Sequence, residues 1–225
     1  MENNLKKYEI MAKEFMLNAS RVQQRKLGAN ILAFADTHYE FTKREEIERI
    51  YDKYHDADVV ALLGDHNPYF IDLLLQYFPA DIIVPVLGNH DVKSAYRDFG
   101  LRELHGDIVT IKGITLGGIS GSHKYKCNNR YSLITQEESL EICNKLLTKP
   151  AVDILLTHDI VFSKEIHDTA HCGLIGITRY IFADFQNGNA GPVAHLHGHL
   201  HRSFRGRYSN YVKEVSVYGV EYISL

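Results

Sequence analysis

The 225-residue chain sets 25 Lys and Arg against 28 Asp and Glu, a formal net charge of −3, which excludes a protein that coats nucleic acid or an anionic membrane by bulk charge. Hydrophobic residues at 45% and charged residues at 24% exclude a disordered or fibrous chain. No apolar run approaches the ~18 residues that span a bilayer, and residues 1–28 carry charge throughout, so no secretion signal is expected.

In the first segment Leu5, Tyr8, Met11 or Ala12, Phe15, Ala19 and Val22 recur at steps of three and four, the spacing of one helical face. Gly28 is a natural stop. Such a helix either packs on its own chain or serves as a docking or dimer helix, and the pattern leaves both open. From Asn30 short apolar runs alternate with helical patterns: ILAFA (31–35), a charged helix over Lys43–Tyr54, VVALL (59–63), a helix over Tyr69–Phe78, and IIVPVL (82–87). That alternation predicts a largely parallel sheet covered on both faces. Next come IVTI (108–111) and ITLGG (114–118), joined by Lys112-Gly113 as a hairpin that hints at a second sheet. A Thr135…Glu138 capping box opens a helix to about Leu147. VDILLT (152–157), a helical stretch over Leu174–Phe185, VAHLHG (193–198) and a strand-like end, VKEVSVYGVEYISL (212–225), complete the chain. No repeat, low-complexity tract or linker divides residues 29–225. The reading is therefore an α/β domain over 29–225, preceded by an amphipathic helical extension over 1–28. Three widely spaced cysteines, Cys127, Cys143 and Cys172, without a CxxC, fit a reducing, cytoplasmic setting.

The residues at the end of each apolar run carry the chemistry. ILAFA leads into Asp36 and His38, VVALLG into Asp65, IIVPVLG into Asn89-His90-Asp91, VDILLT into His158, and VAHLHG into His199 and His201. Ligands of open α/β sheets bind beyond the carboxyl ends of the strands, so five such ends would gather these residues around one cleft. With His90 set aside as a proton carrier, seven ligands remain, all oxygen or nitrogen. A single zinc site needs three or four. Seven suit two divalent ions, and a donor set without thiolate favours Mn, Fe or Zn over Ca or Mg.

Asp-x-His, Gly-Asp, Gly88-Asn89-His90-Asp91, an isolated strand-end His and Gly198-His199-Leu200-His201, in that order over about residues 30–202, resemble the calcineurin-like metallophosphoesterase superfamily. The resemblance implies a four-layer α/β architecture, a β-sandwich of two mixed sheets flanked by helices. It implies that Asp36, His38 and His201 bind one metal, that Asn89, His158 and His199 bind the other, and that Asp65 bridges them. His90 would help protonate the leaving oxygen, with Asp91 holding its imidazole. The implied reaction is phosphoester hydrolysis by in-line attack of a metal-bridging hydroxide, with diesters favoured by analogy to small bacterial-type members and monoesters, including phosphoproteins, as the alternative. The implied partner is a phosphoester substrate, nucleotides among the candidates. Neither a membrane nor stable nucleic-acid binding is indicated, and nothing specifies an oligomeric state. One departure is His66-Asn67-Pro68, where many relatives place a second acidic residue. Gly117–Ser122 with Tyr125, and Asp168–Gly173, also resemble loops of a group of small prokaryotic metallophosphoesterases.

Several residues have competing readings. His195 and His197 share a strand face, as core residues or as hydrogen-bond partners behind a ligand. His66 either reaches the cleft or sits on a surface loop. Asp168 and His171 are candidates for the substrate pocket, Asp168 also for a helix cap. Arg202, Arg205 and Arg207 form a basic strip or a solvated strand face. A non-catalytic scaffold on the same fold is disfavoured by the completeness of the ligand set. A nuclease subunit contacting a strand through Arg21, Arg25 and Lys26 is the remaining alternative.

Overall fold

The structure is a computed structural model that describes residues 2–19, 25–126, 132–163, 170–183 and 191–225, with side chains from Leu5 onward. Its elements are α1 (Glu2–Asn18), β1 (Asn30–Ala35), α2 (Arg44–Tyr54), β2 (Val59–Leu62), α3 (Pro68–Leu75), β3 (Ile83–Pro85), β4 (Asp107–Ile111), β5 (Ile114–Ile119), β6 (Ser122–His123), β7 (Leu133–Ile134), α4 (Gln136–Leu147), β8 (Ile154–Thr157), α5 (Ile175–Ile181), β9 (Ala194–His197), β10 (Phe204–Arg207), β11 (Lys213–Ser216) and β12 (Gly219–Ser224).

Two mixed sheets result, ordered β12-β1-β2-β3 and β10-β11-β9-β8-β5-β4, with β6 and β7 paired separately. β1, β2 and β3 run parallel, as do β5, β8, β9 and β11, while β12, β4 and β10 close the edges antiparallel. The period-2 alternation of strand side chains sets the layers. Ile31, Ala33 and Ala35 of β1 face Leu116, Ile154, Leu156 and Leu196 of the other sheet, forming the core between the sheets. Leu32 and Phe34 point the opposite way, onto Ile47 of α2 and Phe70, Ile71 and Leu74 of α3. On the far side Leu155 packs with Cys143 and Leu146 of α4 and Ile177 and Ile181 of α5. Helix, sheet, sheet, helix is the four-layer α/β sandwich that the resemblance implies.

Local sequence fixes the joins. Lys112 and Gly113 both take positive φ, 49° and 82°, the turn that a two-residue hairpin demands. Thr135 Oγ1 accepts the Glu138 N–H at 3.1 Å and the Glu138 carboxylate accepts the Thr135 N–H at 2.6 Å, which closes the capping box on α4. α3 begins at Pro68 because Asn67 Oδ1 accepts the Phe70 N–H at 2.8 Å and proline suits the first helical position. The first helix docks on its own chain. Tyr8 and Ala12 are buried against Phe162, Cys172 and Ile175, and the Tyr8 hydroxyl donates to Glu137. Among the described residues no helix is long and apolar enough to cross a membrane.

Candidate metal centre

The carboxyl ends of β1, β2, β3, β8 and β9 meet at one rim, and β1, β2 and β9 deliver residues there on a sharply bent backbone. Asp36, His38, Asp65, His199 and His201 all hold positive φ, at 53°, 39°, 61°, 69° and 48°. Left-handed backbone is uncommon for residues other than glycine and clusters where function requires it. The loops after β2 and β3 touch through two glycines. A Cβ on Gly64 would lie 2.5 Å from the Gly88 nitrogen, and a Cβ on Gly88 only 2.1 Å from Asp65 Oδ1. Only bare backbone lets the two loops approach this closely.

Buried acceptors converge at the rim. His158 Nδ1 lies 2.7 Å from the Leu63 carbonyl, and because a carbonyl only accepts, Nδ1 carries the proton and Nε2 presents a lone pair. That lone pair sits 2.9 Å from Asn89 Oδ1, 3.6 Å from Asp65 Oδ2 and 3.9 Å from Asp36 Oδ1. Asp36 Oδ1 and Asp65 Oδ2 are buried without a hydrogen-bond donor. Four acceptors facing one another are stable only around a cation, so the donor set fits a divalent metal. The remaining oxygens hold the backbone: Asp36 Oδ2 accepts the His199 N–H and Asp65 Oδ1 the His90 N–H, both at 2.8 Å.

Beside this group, His201 Nε2 stands 3.5 Å from both Asp36 Oδ1 and His38 Nε2. Two ligand sets therefore adjoin, Asp36 with His38 and His201, and Asp36 with Asp65 and His158. Asp36 belongs to both, whereas the sequence motifs imply Asp65 as the shared carboxylate. His199 lies with its ring 4.8 Å from that of His158. Its Nε2 donates to the Ala170 carbonyl at 2.8 Å, which leaves Nδ1 as the free lone pair.

Burial first, then the Asp65 charge, pushes the Asp36 carboxyl up to about 8. Burial drives His158 down to about 4, which keeps it neutral and fit to ligate. His201 is lowered by burial and by the neighbouring His38 and His199.

His90 is exposed at the mouth of the pocket, its ring edge-on to His38 with centroids 5.5 Å apart. Asp91 does not touch that ring. Its Oδ2 accepts the N–H groups of Gly88 (2.8 Å) and Asp65 (2.9 Å) and its Oδ1 that of His66 (3.2 Å), while the Tyr96 hydroxyl donates to Oδ2 at 3.4 Å. The carboxylate thus clamps two metal loops together instead of steadying His90, a correction to the motif reading. His66 is buried, with Nδ1 2.8 Å from Thr37 Oγ1 and its ring on Phe70, so it is not on a surface loop. The His171 ring lies 4.6 Å from that of His199, and the Tyr125 hydroxyl 3.5 Å from Asn89 Nδ2. Asp168, Cys127 and Arg21 lie outside the described residues, and Arg25 pairs with Asp153.

His195 and His197 point away from the core between the sheets. His195 bonds Thr157 Oγ1 (2.7 Å) and the Tyr208 hydroxyl (2.8 Å), and Tyr208 and His197 share Glu214 at 3.0 and 3.3 Å. This polar chain braces the ends of β8 and β9 without entering the pocket. Sequence reasoning missed the Leu63 and Ala170 carbonyls, which orient the His158 and His199 imidazoles, because backbone acceptors leave no mark in residue identity. It also missed Tyr218, whose ring stacks on His201 at 5.5 Å.

A family model described as calcineurin-like phosphoesterase matches residues 29–203. Among solved structures, a phosphopantetheinyl hydrolase from Mycobacterium tuberculosis aligns at 15% identity and TM-score 0.54, over 86% of this chain and 91% of that one. A dimetal phosphatase from Danio rerio aligns at 10% identity and TM-score 0.53, over 85% and 88%. A 5′-nucleotidase from Candida albicans aligns at 12% identity and TM-score 0.54, over 91% of this chain and 48% of that one. No curated protein matches the chain by sequence.

Proposed function

We propose that this chain, which belongs to the calcineurin-like phosphoesterase family and is a two-metal-dependent phosphoester hydrolase, acts on phosphodiesters. The metal ligands in this reading are Asp36, His38, Asp65, Asn89, His158, His199 and His201, and His90 is the proton donor. The observation that carries it is the donor-free convergence of Asp36 Oδ1, Asp65 Oδ2, Asn89 Oδ1 and His158 Nε2 beneath the exposed His90. When bound, two divalent ions supply Lewis acidity toward phosphoryl oxygens and make water acidic enough to react at neutral pH. The protein holds their ligands on rigid strand ends and fixes the His158 and His199 tautomers through the Leu63 and Ala170 carbonyls. It also keeps an imidazole, His90, within reach of solvent and of a leaving oxygen.

In this reading a monoanionic diester is preferred to a dianionic monoester. Dianions are commonly gripped by a bidentate guanidinium, and among the described residues no arginine pairs with a centre residue. Arg202, next to His201, lies over the Phe204 ring at 5.2 Å. Oxygen and nitrogen donors without thiolate support Mn, Fe or Zn. The three widely spaced cysteines, without a CxxC, support a cytoplasmic setting. The test is a panel of diesters and monoesters with matched leaving groups, run with each metal on wild type and His90→Ala. We expect diesters to react faster, and His90→Ala to keep its metals while losing about 10²- to 10⁴-fold in turnover. Faster monoester turnover overturns the diester assignment, and full activity of His90→Ala overturns the role of His90.

A further inference from the structure

Apart from Tyr211 (40%), between β10 and β11, the large apolar side chains left exposed among the described residues are concentrated in two places. Ile10, Met16 and Leu17 lie on α1, whereas Tyr39 (91% exposed), Tyr69 (55%) and Tyr218 (42%) stand around the metal centre. Tyr39 directly follows the ligand His38, on a loop bent by positive φ at Asp36, His38 and Phe41. Tyr69 is the second residue of α3. The cap of that helix, Asn67, donates its Nδ2 to the His38 carbonyl at 2.7 Å, which ties the first turn of α3 to the Tyr39 loop. Tyr218 stacks on His201 with ring planes 16° apart. The turn it occupies also abuts the Tyr39 loop: a Cβ on Gly219 would lie 3.9 Å from the Glu40 carboxylate.

Tyr39 and Tyr69 make no hydrogen bond or ring contact among the described residues, so neither is needed to hold a loop in place. An exposed ring forfeits part of the burial that aromatic side chains otherwise gain. Three of them on neighbouring loops around one pocket form the stacking surface that flat ligands use. The net charge of −3 disfavours a polyanionic strand as the occupant and leaves a small ester.

We propose that Tyr39, Tyr69 and Tyr218 form an aromatic rim that selects phosphodiesters bearing a planar ring of the nucleobase class; the inference rests on the diesterase assignment. Stacking on an aromatic side chain is worth between about fivefold and 150-fold in affinity per base. The experiment compares thymidine 5′-(methyl phosphate) with its abasic counterpart, which has hydrogen in place of the base. The two esters share the same reacting phosphate, so the ratio of their kcat/KM values isolates the ring. Wild type is expected to prefer the base-bearing ester by at least about fivefold, with Tyr39→Ala and Tyr218→Leu each lowering that ratio. Any weakening of metal binding through His201 affects both esters alike and leaves the ratio unmoved.

A second arm measures binding without turnover, as calorimetric Kd values for thymidine 5′-methylphosphonate and its abasic analogue. A wild-type ratio near one in kcat/KM, or a ratio that both variants preserve, overturns the inference while the diesterase reading stands. Turnover of monoesters alone overturns the diesterase reading instead. The phosphonate ratio then decides the rim independently: a value near one overturns it, and a preference lost in the variants sustains it.

Discussion

Substituting Asp91 separates two accounts of this centre. As a clamp, its carboxylate accepts three backbone N–H groups, from Gly88, Asp65 and His66, none of which has water as an alternative. In Asp91→Asn one oxygen becomes an amide nitrogen. If the remaining oxygen keeps the shorter bonds to Gly88 and Asp65, the amide faces the His66 N–H, donor against donor. One orphaned buried donor costs about 1–3 kcal/mol, which lowers Tm by about 2–12 °C for a chain of this length. Asp91→Ala orphans all three, about 3–9 kcal/mol, much of the ~5–15 kcal/mol that holds a typical domain together. Both variants let the loops after β2 and β3 part, which moves Asp65 and Asn89, so metal content falls together with Tm. Thermal unfolding, metal analysis after dialysis and turnover form the assay. An Asp91→Asn protein with unshifted Tm and full metal, but turnover as low as that of His90→Ala, refutes the clamp and restores the carboxylate to the imidazole.

The same contacts set the outcome at Gly88. Its alanine variant drives a methyl to 2.1 Å from Asp65 Oδ1, so Gly88→Ala is expected to lose at least one metal and about 1–3 kcal/mol of stability; metal analysis and urea melts check both. Burial holds His195 well below the ordinary histidine value, so the unfolded chain takes up a proton that the folded protein refuses. Its contribution is therefore complete above pH ~6.5 and is lost as pH falls below that, at up to about 1.4 kcal/mol per pH unit. Urea unfolding from pH 7 to 5 should show a shallower pH slope in His195→Gln, and equal slopes would contradict a neutral buried imidazole. Burial also pushes the Cys143 thiol up to about 12, so peptide mapping after alkylation at pH 8 should find Cys143 unlabelled in native protein and labelled in urea.

Much of this was legible because the signals are local and chemical. Strand-length apolar runs ending in Asp, Asn or His marked the cleft, since a strand end is where a side chain both escapes the sheet and reaches its neighbours. The Thr135 capping box and the Lys112-Gly113 turn formed where those residues stand, being governed by contacts three residues apart or fewer. Helix α3 starts earlier than the apolar pattern implies, because Asn67 and Pro68 impose a start that hydrophobic spacing does not register. The partnership of β12 with β1 joins residues almost 200 positions apart, from Asn30 with Ser224 to Ala35 with Gly219, and nothing in either segment names the other. The job of Asp91 was hidden for a related reason: its partners are main-chain amides, which every residue except proline possesses.

The proposed centre takes Asp36, His38, Asp65 and Asn89 from loops of one sheet and His158, His199 and His201 from loops of the other. Bound ions are thus rivets across the seam of the sandwich as well as reagents. Stripped of them, the carboxylates of one sheet and the imidazoles of the other lose the ligand that joins them, and the two halves should breathe there first. Amide exchange in the metal-depleted protein would then quicken at this end of the stack, while the opposite end, where Leu225 still bonds Gly28 and Ala29, stays shut.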